Sequence, residues 1–205
     1  MADWTDRGVQ RRIINFSAFR LDGLGDLLPR AAGSSVFDVG CNRGAVCYDF
    51  VLSGAAVVHG VDNGLEEDGK TYVIQTARRV FADIRSVEAR FEVCDLRGGA
   101  GALKKAFGND YRKEYDFVLF LAVYHKLRRI MELPALLHLV DHLAHHCGKF
   151  FVWRGSRNEL DEFEPTVIAK GFRRVHYSEI CLVQRPDTQN VEAQPTAVWA
   201  KEHPL

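Results

Sequence analysis

The feature that most constrains this chain is its regular alternation of short apolar β-type runs with longer helical stretches. The runs are Ser35-Val36-Phe37-Asp38-Val39-Gly40, Ala56-Val57-Val58-His59-Gly60-Val61-Asp62, Arg90-Phe91-Glu92-Val93-Cys94-Asp95, Tyr115-Asp116-Phe117-Val118-Leu119-Phe120-Leu121 and Lys149-Phe150-Phe151-Val152-Trp153. Between and after them the pattern predicts helices over residues 45–52 and 66–84, a short one ending near Phe107-Gly108, and two more over 130–146 and 159–170. Gly171 stops the last in a C-cap role. Strands separated by helices connect by crossovers, which gives a parallel sheet covered on both faces. The fourth run is nearly all apolar, as a strand buried on both faces must be.

Two final strands, over residues 174–182 and 196–201, have only a polar loop with Pro186 and Pro195 between them. They are therefore expected to pair antiparallel as a hairpin. The predicted class is α/β, a doubly wound, mostly parallel seven-stranded sheet with helices on both faces and a C-terminal antiparallel β-hairpin. A chain of 205 residues suffices for one such domain. Residues 34–205 are assigned to it. Residues 1–33 are read as an N-terminal helical segment on the cap or substrate side, where Trp4, Arg11, Arg12, Ile13, Ile14, Phe16 and Phe19 suggest an amphipathic helix.

Bulk properties narrow the function. Basic and acidic residues balance at 27 each, so no overall field draws polyanions and a nucleic-acid role would need a local patch. Arg7 to Arg20, and Lys104, Lys105, Arg112 and Lys113, are the candidates, and a solvated face explains either as well. No apolar run reaches bilayer-spanning length, and residues 1–6 lack the pattern of a secretory signal. A cytoplasmic location is expected, with no membrane partner. Cys41, Cys47, Cys94, Cys147 and Cys181 form no C-x-x-C pair, which suggests neither a disulfide framework nor a zinc knuckle.

Ligands of open α/β sheets lie beyond the carboxyl ends of the strands, near the switch point of strand order. The informative residues cluster there. Strand one runs into Asp38-Val39-Gly40-Cys41-Asn42-Arg43-Gly44, where Gly40 and Gly44 permit a tight turn and close backbone approach to a ligand. The helix that follows presents its N-terminal amides. Taken alone, the turn is also compatible with a plain strand-to-helix connection. Asp62 ends strand two, where a carboxylate can accept hydrogen bonds from both ribose hydroxyls, or simply cap a turn. Asp95 ends strand three and can accept an exocyclic adenine amine. Leu121-Ala122-Val123-Tyr124-His125 ends strand four.

Asp38-Val39-Gly40-Cys41-Asn42-Arg43-Gly44, Gly60-Val61-Asp62, Cys94-Asp95-Leu96 and Tyr115-Asp116-Phe117-Val118-Leu119 resemble, in order and spacing, motifs I to IV of class I S-adenosylmethionine (SAM)-dependent methyltransferases. The similarity runs from about Ser34 to the C-terminus. It implies SAM as methyl donor and S-adenosylhomocysteine as product. Cofactor contacts would then come from Asp38, Gly40, Cys41, Asn42, Gly44, Asp62, Asn63, Asp95, Leu96 and Leu121. Asn42 departs from the family by replacing the middle glycine of G-x-G-x-G, though asparagine enters left-handed geometry more readily than most residues. A nicotinamide site would call for G-x-G-x-x-G, which is absent.

Methyl transfer from a sulfonium depends largely on proximity and orientation, and a base is needed only where the acceptor must lose a proton. His125, with Tyr124 beside it, is the candidate base, a helix-start or surface histidine being the structural reading of the same residue. Strand four lacks the N/D-P-P-Y/F end that adenine and glutamine methylation would suggest. It also lacks the cysteine needed for attack on a pyrimidine ring. Val123-Tyr124-His125-Lys126 is similar to a segment of tRNA wobble-uridine carboxymethyltransferase-like proteins. A small-molecule acceptor is therefore expected, with an RNA-modifying methyl- or carboxymethyltransferase as the alternative and a non-catalytic SAM-binding regulatory module as a third reading. His138, His142 and His146 recur every four residues, as metal ligands on a helix can. Leu136, Leu137, Leu139, Val140 and Leu143 interleave with them, so an amphipathic helix face is expected and no metal.

Overall fold

The computed structural model describes residues 21, 23–64, 72–179, 182–184 and 191–202. Seven strands form the main sheet: β1 (Ser35–Val39), β2 (Val57–Asp62), β3 (Glu88–Val93), β4 (Tyr115–Leu121), β5 (Cys147–Arg154), β6 (Phe172–Ser178) and β9 (Thr196–Lys201). Two short strands, β7 (Leu182–Gln184) and β8 (Val191–Ala193), pair as a separate antiparallel ribbon. The sheet order is β3-β2-β1-β4-β5-β9-β6. β1 pairs parallel with both β2 and β4, and β4 with β5. The doubly wound sheet expected from the alternation is present, and its switch point falls at β1.

The helices are α1 (Ala45–Leu52), α2 (Val73–Phe81), α3 (Gly99–Phe107), α4 (Tyr124–Arg128), α5 (Leu133–His145) and α6 (Arg157–Ile168). Period-two alternation along the strands sends side chains to opposite faces. Phe37, Val39, Val118 and Phe120 pack with α3, α5 and α6 on one face. Val36, Phe117 and Leu119 pack with α1, α2 and Leu24, Leu27 and Ala31 on the other. Phe163 centres the first layer, with ring centroids 5.5 to 5.7 Å from Phe151, Trp153, Trp199 and Tyr124. Deleting such a ring costs about 3–5 kcal/mol. No helix among the described residues is long and apolar enough to cross a membrane.

Several boundaries differ from the sequence reading. The helix expected over 130–146 begins at Leu133, with Pro134 in its first turn. Proline suits the first turn but not the interior of a helix running from 130, where it could not donate to the residue 130 carbonyl, so residues 130–132 become a joint between α4 and α5. The third strand ends at Val93, which leaves Cys94 and Asp95 in the connection. The antiparallel pairing of the last two main strands holds, but β9 inserts between β5 and β6 and is antiparallel to both. The strand expected over 174–182 stops at Ser178, and the separate β7 follows at Leu182. At α6, Ser156 and Glu159 form a capping box, and Gly171 takes the left-handed geometry expected after the helix (φ +81°). The amphipathic segment of residues 4–19, Cys181 and the start of the helix expected at 66 lie outside the described residues.

Candidate functional site

β1 leads into the switch point through a turn of three left-handed residues, Gly40 (φ +87°), Asn42 (φ +51°) and Gly44 (φ +78°). The geometry anticipated for Asn42 is therefore found. The amides of Gly40 and Cys41 both donate to the Val61 carbonyl, at 2.8 and 2.9 Å, which ties the turn to β2. Gly60 lets the two approach, since a Cβ there would press on Cys41 Sγ and Phe91. Gly44 leads into α1, and its amide donates to the Cys41 carbonyl at 2.9 Å.

Asp62 lies directly across from this turn. Its Oδ2 accepts the Asn42 amide at 2.9 Å, and the amides of Asn63 and Gly64 also support the carboxylate. Burial nevertheless raises its pKa, against the lowering effect of those amides and of Lys126. A carboxylate has two oxygens and several lone pairs, so holding the turn is compatible with accepting a ribose hydroxyl. Asp38 is buried beneath the turn, and Cys47 Sγ donates to its Oδ2 at 3.5 Å. Burial pushes the Cys41 and Cys47 thiols well up, so neither is a ready thiolate nucleophile.

The Cys94 amide donates to the Asp62 carbonyl at 2.8 Å, which sets the ends of β2 and β3 side by side. Asp95 is exposed there and is held by Arg97: Oδ1 accepts the Arg97 amide at 3.0 Å, and the guanidinium Nε reaches Oδ2 at 2.9 Å. These bonds keep its pKa low. Leu96 is buried behind it.

The end of β4 closes the other side. Leu121 pairs with Arg154 across β4 and β5. Ala122 then takes a left-handed φ of +58°, with its amide donating to the Arg154 carbonyl at 2.8 Å. A non-glycine residue in this region is strained by about 1–3 kcal/mol, and such strain concentrates at functional sites. The kink lays Val123 directly on Gly40, where a Cβ would collide with Val123 Cγ2. His125 follows, half-buried in the first turn of α4.

Tyr124 points elsewhere. It is fully buried, stands edge-on to Phe163, and donates its hydroxyl to Glu162 Oε2 at 3.0 Å. Burial and Glu162 both raise its pKa, so the side chain serves the packing of α4 against α6. The sequence showed Ala122 at the end of strand four but not its strain, and it did not single out the buried Arg154, whose Nε donates to Thr196 Oγ1 at 2.9 Å. A cation ending the apolar run Phe150-Phe151-Val152-Trp153 was the available signal for Arg154.

The α5 histidines lie away from these strand ends. The Tyr111 hydroxyl pairs with His142 Nε2 at 3.0 Å, and His146 Nδ1 donates to the Lys113 carbonyl at 2.7 Å. Among the described residues no group of three or more His, Cys, Asp or Glu is arranged to hold a metal ion.

No family model matches the sequence, and no curated protein matches it. Solved structures do match the fold. Magnesium protoporphyrin IX methyltransferase from Synechocystis, solved with bound SAM, superposes with a TM-score of 0.60 at 14% identity, over 98% of this chain and 86% of that one. A putative SAM-dependent methyltransferase from Listeria monocytogenes gives 0.61 at 13% identity, over 91% and 99%. A putative RNA methyltransferase from Pyrococcus horikoshii gives 0.59 at 14% identity, over 94% and 83%. The architecture is the class I SAM-dependent methyltransferase fold.

Proposed function

We propose that this chain is a SAM-dependent methyltransferase acting on a small-molecule acceptor. The observation that carries the reading is the convergence of the left-handed turn, Asp62 and Asp95 at one edge of the sheet, beside the switch point. That edge is where open α/β sheets bind ligands. The donor set suits SAM: Asp62 for the ribose hydroxyls, Asp95 for the adenine amine once Arg97 yields, and the turn with Asp38 for the methionine end.

SAM, when bound, supplies a sulfonium methyl whose carbon bonds to the acceptor's lone pair as the C–S bond breaks, leaving S-adenosylhomocysteine. The chain's part is to orient. Asp62 and the glycine turn would hold the donor, and the Ala122 kink lays Val123 on that turn, with His125 two residues further along the chain. Where the acceptor atom carries a proton, His125 is the group proposed to take it. The strained Ala122 kink, held by the Arg154 carbonyl, is formed without a ligand, which supports an orientation mechanism.

The test is calorimetric titration with SAM and S-adenosylhomocysteine, with NAD as control, followed by assay of S-adenosylhomocysteine release against paired small-molecule and RNA acceptors. Micromolar binding of the first two, with release on a small molecule, supports the reading. Release on RNA alone moves the acceptor to that class, and binding without turnover on any acceptor favours a regulatory module. Absence of binding removes the methyltransferase assignment.

A further inference from the structure

The carboxylate proposed for the adenine amine is already engaged by a side chain two residues away. Asp95 Oδ1 accepts the Arg97 amide and the Arg97 Nε, each at 3.0 Å. Oδ2 accepts the same Nε at 2.9 Å and a terminal guanidinium nitrogen as well. A carboxylate offers about four lone-pair positions, and Arg97 alone makes four contacts to this one. A guanidinium fork set against a carboxylate is the geometry in which arginine binds that group best. The fork therefore covers the oxygens that an exocyclic amine would need.

The two halves of the pair are held very differently. Leu96, buried between them, anchors the short turn of Leu96–Gly98, and Asp95 caps that turn through the Arg97 amide. The Cys94 amide on the Asp62 carbonyl keeps this connection beside the end of β2. The carboxylate is thus fixed by backbone contacts that do not involve the guanidinium. Asp95 is the only partner the structure gives the Arg97 side chain among the described residues, and the two side chains are 56% and 62% exposed. An exposed ion pair of this kind is weak, since water readily replaces its contacts. A firmly held acceptor with a loosely held occupant is the arrangement expected of a displaceable stand-in for a ligand's own donor.

We propose that Arg97 is an intramolecular competitor for the nucleobase. Its guanidinium covers Asp95 in the free protein, gives way when the exocyclic amine of the cofactor takes its place, and returns as the product leaves. The inference rests on the methyltransferase reading above and deepens it by naming the residue that sets how tightly the adenine end is held. Competition lowers affinity for donor and product alike, and it acts only on a nucleoside that offers a donor to Asp95. A purine without the 6-amine needs no acceptor there and leaves the pair closed. Arg97 is therefore a selectivity residue that acts through Asp95.

The test is calorimetric titration of the full-length protein with S-adenosylhomocysteine and with its purine counterpart, in which hydrogen replaces the 6-amine. Arg97→Ala keeps the backbone cap on Asp95 and should tighten S-adenosylhomocysteine about two- to fivefold, the range of an exposed ion pair. The purine counterpart should bind as before. Arg97→Lys keeps the charge without the fork and should fall between. In an Asp95→Ala background the two nucleosides should bind nearly alike, and Arg97→Ala should add nothing. Unchanged or weaker binding of S-adenosylhomocysteine in Arg97→Ala overturns the proposal. So does equal tightening of both nucleosides, which would mark a general effect of charge. Failure of the underlying reading looks different: neither nucleoside then binds the unsubstituted protein or any variant, and this proposal falls with it.

Discussion

The Asp62 carboxylate accepts the backbone amide of Asn42 at 2.9 Å, so the residue proposed to hold a ribose also fixes the turn that faces it. Twenty residues separate the two in sequence, and the parallel pairing of β1 with β2 brings them together. Asp62→Ala should therefore do two things. SAM affinity should fall about 10- to 100-fold through lost hydrogen bonds, and the melting temperature should also fall because the Asn42 amide loses its partner. Asp62→Asn keeps an acceptor for that amide and should recover the melting temperature more than the affinity. Calorimetry and thermal unfolding on the same samples check both, and unchanged affinity in Asp62→Ala would place the cofactor elsewhere.

Gly40 carries a left-handed φ with Val123 packed on its Cα. Gly40→Ala meets both a backbone penalty and a steric one and should cost about 3 kcal/mol or more. Adding Val123→Ala removes the collision but leaves the backbone strain, so the double variant should regain part of the loss. Urea denaturation of the four proteins in this cycle measures the coupling. Strict additivity would show that Val123 does not bear on Gly40.

His125 and Tyr124 are adjacent in sequence and diverge in space. His125→Ala should leave SAM binding in place and lower turnover on an acceptor that must lose a proton. Tyr124→Phe should keep the turnover and cost about 1 kcal/mol of stability through the lost bond to Glu162. Single-turnover rates beside unfolding curves separate the two. Full activity in His125→Ala rules out its role as a base.

The histidine face of α5 should make stability depend on pH. Burial, reinforced by His146 and Lys104, lowers the His142 pKa to about 4, against about 6.5 in an unfolded chain. The folded protein then binds fewer protons than the unfolded chain between those values. The His142 contribution is fully present above about pH 6.5 and is lost as pH falls toward 4. Burial shifts His59 and His146 the same way. The melting temperature should drop between pH 7.5 and pH 5, and the drop should be smaller in His142→Gln. An equal drop in both would assign the acid sensitivity to other groups.

Much of this architecture was legible in one dimension, because period-two apolar runs and helical stretches are local consequences of which faces a chain must bury. The five leading strands, the Gly171 stop, the left-handed Asn42 and the order of the strand-end motifs all follow from residue types and spacing. The joint at residues 130–132 was also local, written in Leu133-Pro134, but the apolar period running through it masked the signal. Other features depend on which strands become neighbours, and no local pattern encodes that. β9 enters the sheet between β5 and β6 because the returning strand can satisfy hydrogen-bonding edges on both sides there. Arg154 comes beside Leu121 only through the β4–β5 register. The left-handed turn at Ala122 depends on a carbonyl 32 residues away. That turn leads into α4, where Tyr124 enters the core and His125 stays half-buried. Sequence alone determined the layers and the ends of the strands where chemistry belongs. The tertiary structure decided which residues at those ends become neighbours, because their positions depend on partners that lie far away along the chain.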